Sequence, residues 1–144
     1  LKDIFDHPAL RWSTRLARVI LIDPTTELVG AMKAASYVLK NDKILCIFPE
    51  GQRSIDGEVK RFKKGIGILT KELDATIVPA AIEGSFRAWP RTARLPKPAV
   101  LQVLFGKPLR YREIIKTTTS SEDEYKIIAD RIREEVMRLK ETLR

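Results

Sequence analysis

Glu50, Gly51 and Arg53 fall within four consecutive positions, on a turn that Pro49 forces, and residues of these types at this spacing suit the grip of an anion. A phosphate needs hydrogen-bond donors and positive charge held on a pre-set backbone. Arg53 supplies a guanidinium fork for two phosphate oxygens, and Gly51 permits the backbone to turn with positive φ beside it. Lys60, Lys63 and Lys64 follow closely and either reinforce that charge or form a solvated basic face. Glu50 either orients Arg53 through an ion pair or is an exposed turn residue with little energetic effect. Pro-Glu-Gly is also ordinary chemistry for a surface turn, so both readings stand on these residues alone.

Other chemistries are poorly provided for. His7 is the only histidine and precedes the first expected strand, so any histidine general base would have to be His7. A nucleophile at Ser54 would lack a histidine to activate it. Cys46 is the single cysteine; it excludes an internal disulfide and reads as a buried thiol within a strand. No cysteine and histidine grouping suggests zinc, and no glycine-rich nucleotide motif occurs, so neither metal nor cofactor is expected.

The elements that must hold the turn follow from the apolar pattern. Ile44 to Phe48 is short and rich in branched and aromatic residues, which predicts a strand buried on both faces and ended by Pro49. Val19 to Ile22, stopped by Asp23-Pro24, predicts another. Between them, Thr25 or Thr26 caps a helix whose apolar positions are Leu28, Met32, Ala35 and Leu39, closed by Asn41-Asp42. Strand, helix and strand in this order predict a βαβ crossover and a parallel pair, with Glu50 and Arg53 at the sheet edge where ligands bind.

Downstream, Asp56-Gly57 suggests a tight turn, and a helix begins near Gly65 with Ile66, Ile68, Leu69 and Leu73 on its apolar face. Gly65 and Gly67 weaken its first turn by propensity and suggest close approach to a neighbour. Thr76 to Ile82 is a third apolar run; Pro79 within it suggests an edge position or a bulge, and Gly84 ends it. Ala99 to Phe105 predicts a fourth strand, stopped by Gly106 and Pro108. Ser121-Glu122-Asp123-Glu124 resembles a capping box ahead of Tyr125, Ile128, Ile132, Val136, Leu139 and Leu143, a long amphipathic C-terminal helix. The fold class expected is α/β, a mostly parallel buried sheet with flanking helices, in one domain over residues 1–144.

Lysines and arginines number 27 against 19 acidic residues, a formal net charge of +8, so an anionic partner is expected. The largest block of one sign runs from Ser85 to Arg112, with Arg87, Arg91, Arg94, Lys97, Lys107, Arg110 and Arg112 and no acidic residue. Nucleic acid is the weakest of the possible partners, because aromatics are few in that block and no binding motif lies there. No run approaches the ~18 apolar residues of a membrane span, and no secretory signal is apparent. The chain opens on Leu1, which reads as a piece of something longer.

Phe48-Pro49-Glu50-Gly51-Gln52-Arg53-Ser54 resembles the third signature of the PlsC-like glycerolipid acyltransferases, with Gln52 where threonine is usual. Ile77-Val78-Pro79-Ala80-Ala81-Ile82 followed by Gly84 is similar to the fourth signature. Val19 to Asp23 resembles the second, with Pro24 where a phosphate-binding arginine is common. Phe62-Lys63-Lys64-Gly65 lies between third and fourth, as in the family.

The resemblance implies a phospholipid or glycerol-phosphate O-acyltransferase that takes a fatty acyl group from acyl-CoA or acyl-carrier protein. The acceptor would be a lysophospholipid or glycerol phosphate. By the same resemblance Glu50, Gly51 and Arg53 hold the acceptor phosphate, with Lys63 and Lys64 beside them. The family's first signature, histidine, four residues and aspartate, deprotonates the acceptor hydroxyl. His7 is followed at the required position by Trp12, so the catalytic pair is expected upstream of Leu1, the chain as the C-terminal part of the domain, and the chain alone as inactive. The location implied is cytoplasmic and peripheral to an anionic membrane surface, with Phe86, Trp89 and the nearby arginines at headgroup level or Trp89 packed inside. The alternative from another class is a non-catalytic module of the same fold that docks on anionic membrane or on a partner chain.

Overall fold

The computed structural model describes residues 28–115 and 123–143, and the expected strand at 19–22, His7 and the Ser121 end of the capping box lie outside them. The chain up to Ile44 forms one compact unit, and from Leu45 onward it forms another.

In the first unit, α1 (Leu28–Lys40) follows the predicted spacing, with Ala35 buried and Met32 and Leu39 half-buried on the same stripe. It ends where expected. The Asn41 side-chain amide donates to the Tyr37 carbonyl at 2.7 Å, and Asp42 adopts φ 54°, the left-handed conformation that asparagine and aspartate tolerate.

The second unit is built on its last helix, α5 (Glu124–Thr142). Its register buries Ile128, Ala129, Ile132 and Leu139 on one face. Asp123 caps it, its carboxylate accepting from the Tyr125 amide at 3.2 Å, so the N-cap is supplied by aspartate. Against this face pack α2 (Lys64–Glu72) and the short α4 (Tyr111–Ile115), and the core is Phe62, Ile66, Ile114, Ile128, Ala129 and Ile132. Gly67 is where the backbones of α2 and α5 meet: a methyl group there would overlap the Tyr125 carbonyl oxygen.

The one sheet among the described residues has two strands, β1 (Ala80–Glu83) and β2 (Gln102–Phe105). They run antiparallel, with Ala81 opposite Leu104 and Ile82 opposite Val103. Ala81 is buried toward α5, whereas Ile82 and Val103 on the other face are exposed. Pro79 lies between this ladder and an isolated bridge from Ile77 to Leu109, and its carbonyl accepts from the Gly106 amide at 2.8 Å. That is where a residue without a donor fits, which accords with the edge or bulge expected of it. Gly84 ends β1 with φ 86° and opens α3 (Ser85–Ala88).

Two expectations need correction. The parallel, buried sheet is absent among the described residues, whose ladder is antiparallel, so the fold shown is a mixed helix and strand arrangement with a C-terminal helix. Residues 44–48 form no ladder and are largely open: Ile44 is 96% and Phe48 71% exposed, and Cys46 is exposed too. A strand is buried on both faces only when neighbours cover both, and no described strand flanks this run.

The junction of α2, α4 and α5 is polar. Glu124 pairs with Lys71 and accepts from the Tyr111 hydroxyl at 2.6 Å, and the Tyr125 hydroxyl donates to Glu72 at 2.7 Å. Lys71 and then Tyr111 hold the Glu124 carboxyl below its ordinary 4.5, while the bond to Glu124 raises Tyr111 above 10.0 and the bond to Glu72 raises Tyr125. The lowered carboxyl and the two raised phenols act at opposite ends of the pH scale. A depressed carboxyl contributes stability above 4.5 that is lost as pH falls through the folded value. A raised phenol contributes stability below 10.0 that is lost as pH rises through its folded value. Thermal unfolding followed from pH 3 to 11 is therefore expected to show a plateau with losses at both ends, and Tyr111→Phe removes part of the alkaline loss. An alkaline limb unchanged in that variant would contradict the assignment.

Candidate functional site

The turn at 48–51 forms as the sequence requires. Gly51 donates its amide to the Phe48 carbonyl at 3.1 Å, with Pro49 at the position that favours its fixed φ, and Gly51 itself has φ 72°. A side chain at Gly51 would meet only Lys63 carbons at ordinary contact distance, so conformation and not space demands glycine here.

A second segment straps this turn down. The Lys63 amide donates to the Pro49 carbonyl at 2.8 Å, and the Glu50 carboxylate accepts from the Lys60 amide at 2.8 Å. Buried Phe62 anchors the strap in the core, which leaves Arg61 and Lys63 outward. Behind it, Arg133 of α5 donates to the Val59 and Lys60 carbonyls at 3.0 and 2.9 Å. Lys140, only 7% exposed, donates to the Gly57 carbonyl and lies 3.7 Å from Glu58. Two cations of the C-terminal helix thus fix the loop that positions the turn.

Arg53 is the candidate side chain this scaffold presents. Its guanidinium carbon lies over the Trp89 ring, 5.1 Å from the ring centre. Its Nη1 is buried and has no hydrogen-bond partner among the described residues. Glu50 does not pair with it, because that carboxylate is engaged by the Lys60 amide. A buried donor without a partner on a charged group is costly unless a ligand satisfies it, and an oxyanion is the ligand that does.

The remaining candidates divide. Lys63 is exposed, has its chain beside Gly51 and forms no ion pair with another described residue. Lys64 pairs with Asp123 at the start of α5, and Lys60 with Asp56. The Ser54 hydroxyl lies 2.9 Å from Asp56 Oδ1 and accepts from the Gly57 amide at 2.9 Å, which makes it part of the loop's bonding and not a nucleophile awaiting a base. Trp89 was readable in the sequence as a headgroup contact or a packed residue. The structure sets it beneath Arg53, with its indole N–H donating to the Ala93 carbonyl at 3.1 Å. A shallow cleft nearby is lined by Asp56, Glu58, Glu83, Arg87 and Lys140, a mixed set that suits an anion less well than Arg53 does.

The sequence profile described as Acyltransferase matches residues 1–83, which include the whole turn, its strap and all of β1. The chain belongs to the Acyltransferase family. Its curated relatives agree on a name. A 1-acyl-sn-glycerol-3-phosphate acyltransferase of Limnanthes douglasii is 30% identical over 111 residues, 75% of this chain and 40% of that protein. One of Pseudomonas aeruginosa is 28% identical over 108 residues, 73% of this chain and 42% of that protein. Among solved structures, the 1-acyl-sn-glycerophosphate (LPA) acyltransferase PlsC from Thermotoga maritima superposes with a TM-score of 0.65 at 25% identity, over 96% of this chain and 54% of that one. The acyltransferase chain described here therefore spans about half the length of that structure and less of the curated relatives.

Proposed function

We propose that this chain holds the phosphate of the acceptor in a glycerolipid O-acyltransferase, which moves a fatty acyl group from acyl-CoA or acyl-carrier protein to the hydroxyl of a lysophospholipid or glycerol phosphate. The observation that carries the reading is Arg53: a guanidinium with a buried, unpartnered Nη1, beside the Gly51 turn, inside the region matched by the family. The names of the relatives support a lysophosphatidate acceptor.

In such a transfer the acceptor hydroxyl attacks the thioester carbonyl, the hydroxyl loses its proton and the thiol leaves. Arg53 and Lys63 bind the acceptor phosphate and so fix where its hydroxyl lies, which is the proximity part of catalysis. The Gly51 turn and the Glu50 bond to Lys60 hold Arg53 in place. The proton must go elsewhere, since no histidine in the sequence has an aspartate five positions on. The 144-residue chain alone is therefore expected to bind acceptor and not to turn over.

Acyl transfer from acyl-CoA to lysophosphatidic acid is the test. The chain alone gives only the uncatalysed rate, and a longer form with a histidine-x4-aspartate pair gives turnover that is lost on replacing that histidine. Turnover by the chain alone that His7→Ala abolishes, or none from the longer form, would overturn the reading.

One observation favours a membrane-docking role alongside this one. Arg87, Arg91, Arg94, Lys97, Lys107, Arg110 and Arg112 are all exposed, with no acidic residue among them, which suits an anionic bilayer surface. No helix of the described residues is long and apolar enough to cross a membrane, so the proposed attachment of this part is peripheral.

A further inference from the structure

We infer that Trp89 is a positioning residue for acceptor phosphate, orienting the Arg53 guanidinium through its ring face and thereby leaving the guanidinium donors for the ligand. The inference rests on the reading of Arg53 as the phosphate contact and says what makes that contact effective.

An arginine on a turn needs something to restrict it, because its side chain otherwise loses much rotamer freedom on binding. The common device is a carboxylate, but a carboxylate occupies the same N–H donors that a phosphate would use and cancels the charge that attracts it. Here the two acidic side chains nearest in sequence are engaged elsewhere, Glu50 by the Lys60 amide and Asp56 by the Lys60 ammonium and the Glu58 amide. Arg53 is held by an aromatic face, 5.1 Å from ring centre to guanidinium carbon, and its Nη1 has no partner among the described residues. A π face attracts the cation without accepting its in-plane N–H bonds, so orientation and availability of the donors are obtained together.

The ring is itself fixed at both ends. Its indole N–H donates to the Ala93 carbonyl at 3.1 Å, and its backbone amide donates to the Ser85 carbonyl at 2.9 Å at the end of α3. Gly84, whose φ of 86° opens α3, is tightly placed: a methyl group on it would overlap the Val100 carbonyl oxygen. The chain thus leaves β1 in a set direction and delivers Trp89 beneath a residue of a distant turn. Trp89 touches no reacting atom in this account; it acts through Arg53.

Glycerol 3-phosphate binding to the full chain, measured by calorimetry, tests this with a double-mutant cycle. Trp89→Ala is expected to weaken binding ~10-fold, the range of a partly desolvated cation–π contact. Trp89→Phe retains a ring face and is expected to stay within about 3-fold of the parent, which also guards against misfolding of the alanine variant. In an Arg53→Ala background, Trp89→Ala should have no further effect. A loss on Trp89→Ala that persists undiminished without Arg53, or an unchanged affinity in Trp89→Ala while Arg53→Ala weakens binding, would overturn the positioning role and leave the phosphate reading standing. Unchanged affinity in Arg53→Ala itself would remove the phosphate reading, and this inference with it.

Discussion

Arg53→Ala is expected to lower the affinity for glycerol 3-phosphate by about 100-fold, or about 3 kcal/mol, while the chain stays folded. The magnitude follows from losing charge-assisted hydrogen bonds to an anion from a group already positioned to make them. Folding is spared because Arg53 contributes to the described structure mainly through the Trp89 ring, and its Nη1 bonds to nothing there. Arg53→Lys keeps the charge but loses the fork and the flat face that stacks on indole, so an affinity between those of parent and alanine variant is expected. Lys63, exposed beside the same turn, cannot replace it, because an ammonium on a free chain is a point charge without pre-set geometry. If calorimetry gave parent, lysine and alanine forms the same affinity, the turn would be a surface feature and nothing more.

Gly67→Ala is expected to destabilise the second unit by about 3 kcal/mol, and Gly65→Ala, two residues away in the same helix, to leave stability unchanged or raise it by up to ~1 kcal/mol. The difference lies in what each position faces. A methyl at Gly67 would overlap the Tyr125 carbonyl oxygen, an atom of the α5 backbone that cannot rotate away, so α2 must move off the helix that carries Ile128 and Ile132. At Gly65 a methyl meets nothing within 4 Å, and alanine is simply the better helix former. For a chain of this size the Gly67 change corresponds to roughly 10 °C in melting temperature. Equal melting temperatures for the two variants would mean that α2 and α5 do not approach as closely as described. Because α5 also holds the strap behind the Gly51 turn through Arg133 and Lys140, the Gly67 variant should bind acceptor more weakly as well.

This pair of glycines shows where the sequence was legible and where it stopped. Helical spacing placed α1, α2 and α5 and chose the buried face of α5, since that information is local and repeats every turn; on α2 it found Ile66, while Ile68, Leu69 and Leu73 are only half-buried and the other buried positions are Gly67 and Thr70. Both glycines of α2 suggested close approach, but only the docking of α5 distinguishes Gly67 from Gly65. The positive φ of Gly51 was readable from Pro49 and Gly51 alone, as was the end of β1 at Gly84. Strand burial was not readable. The run 44–48 has the composition of a buried strand, yet Ile44 and Phe48 are exposed, because what covers a strand is decided by residues far away in the chain. The antiparallel pairing of β1 with β2 is non-local in the same way, and α3 and α4 are too short to leave a periodic signal.

The site divides along the same line. Arg53, Gly51 and Glu50 are singled out by their types and spacing, but their separate contacts were not legible there. Glu50 turned out to secure the strap at Lys60, and the partner of Arg53 came from Trp89, a loop residue whose aromatic side chain alone offered no reason to join it to this turn. Lys64 belongs to the same basic cluster as Lys63 in the sequence, whereas in the structure it reaches Asp123 at the cap of α5.

The most direct measurement is heteronuclear NMR of the arginine side chains during a titration with glycerol 3-phosphate. The Arg53 Nε–H resonance is expected to shift and saturate with the calorimetric curve, and the arginines between Arg87 and Arg112 to move little. Movement of those exposed arginines with Arg53 unchanged would contradict the phosphate reading, and would assign anion binding to the basic surface instead of to the turn.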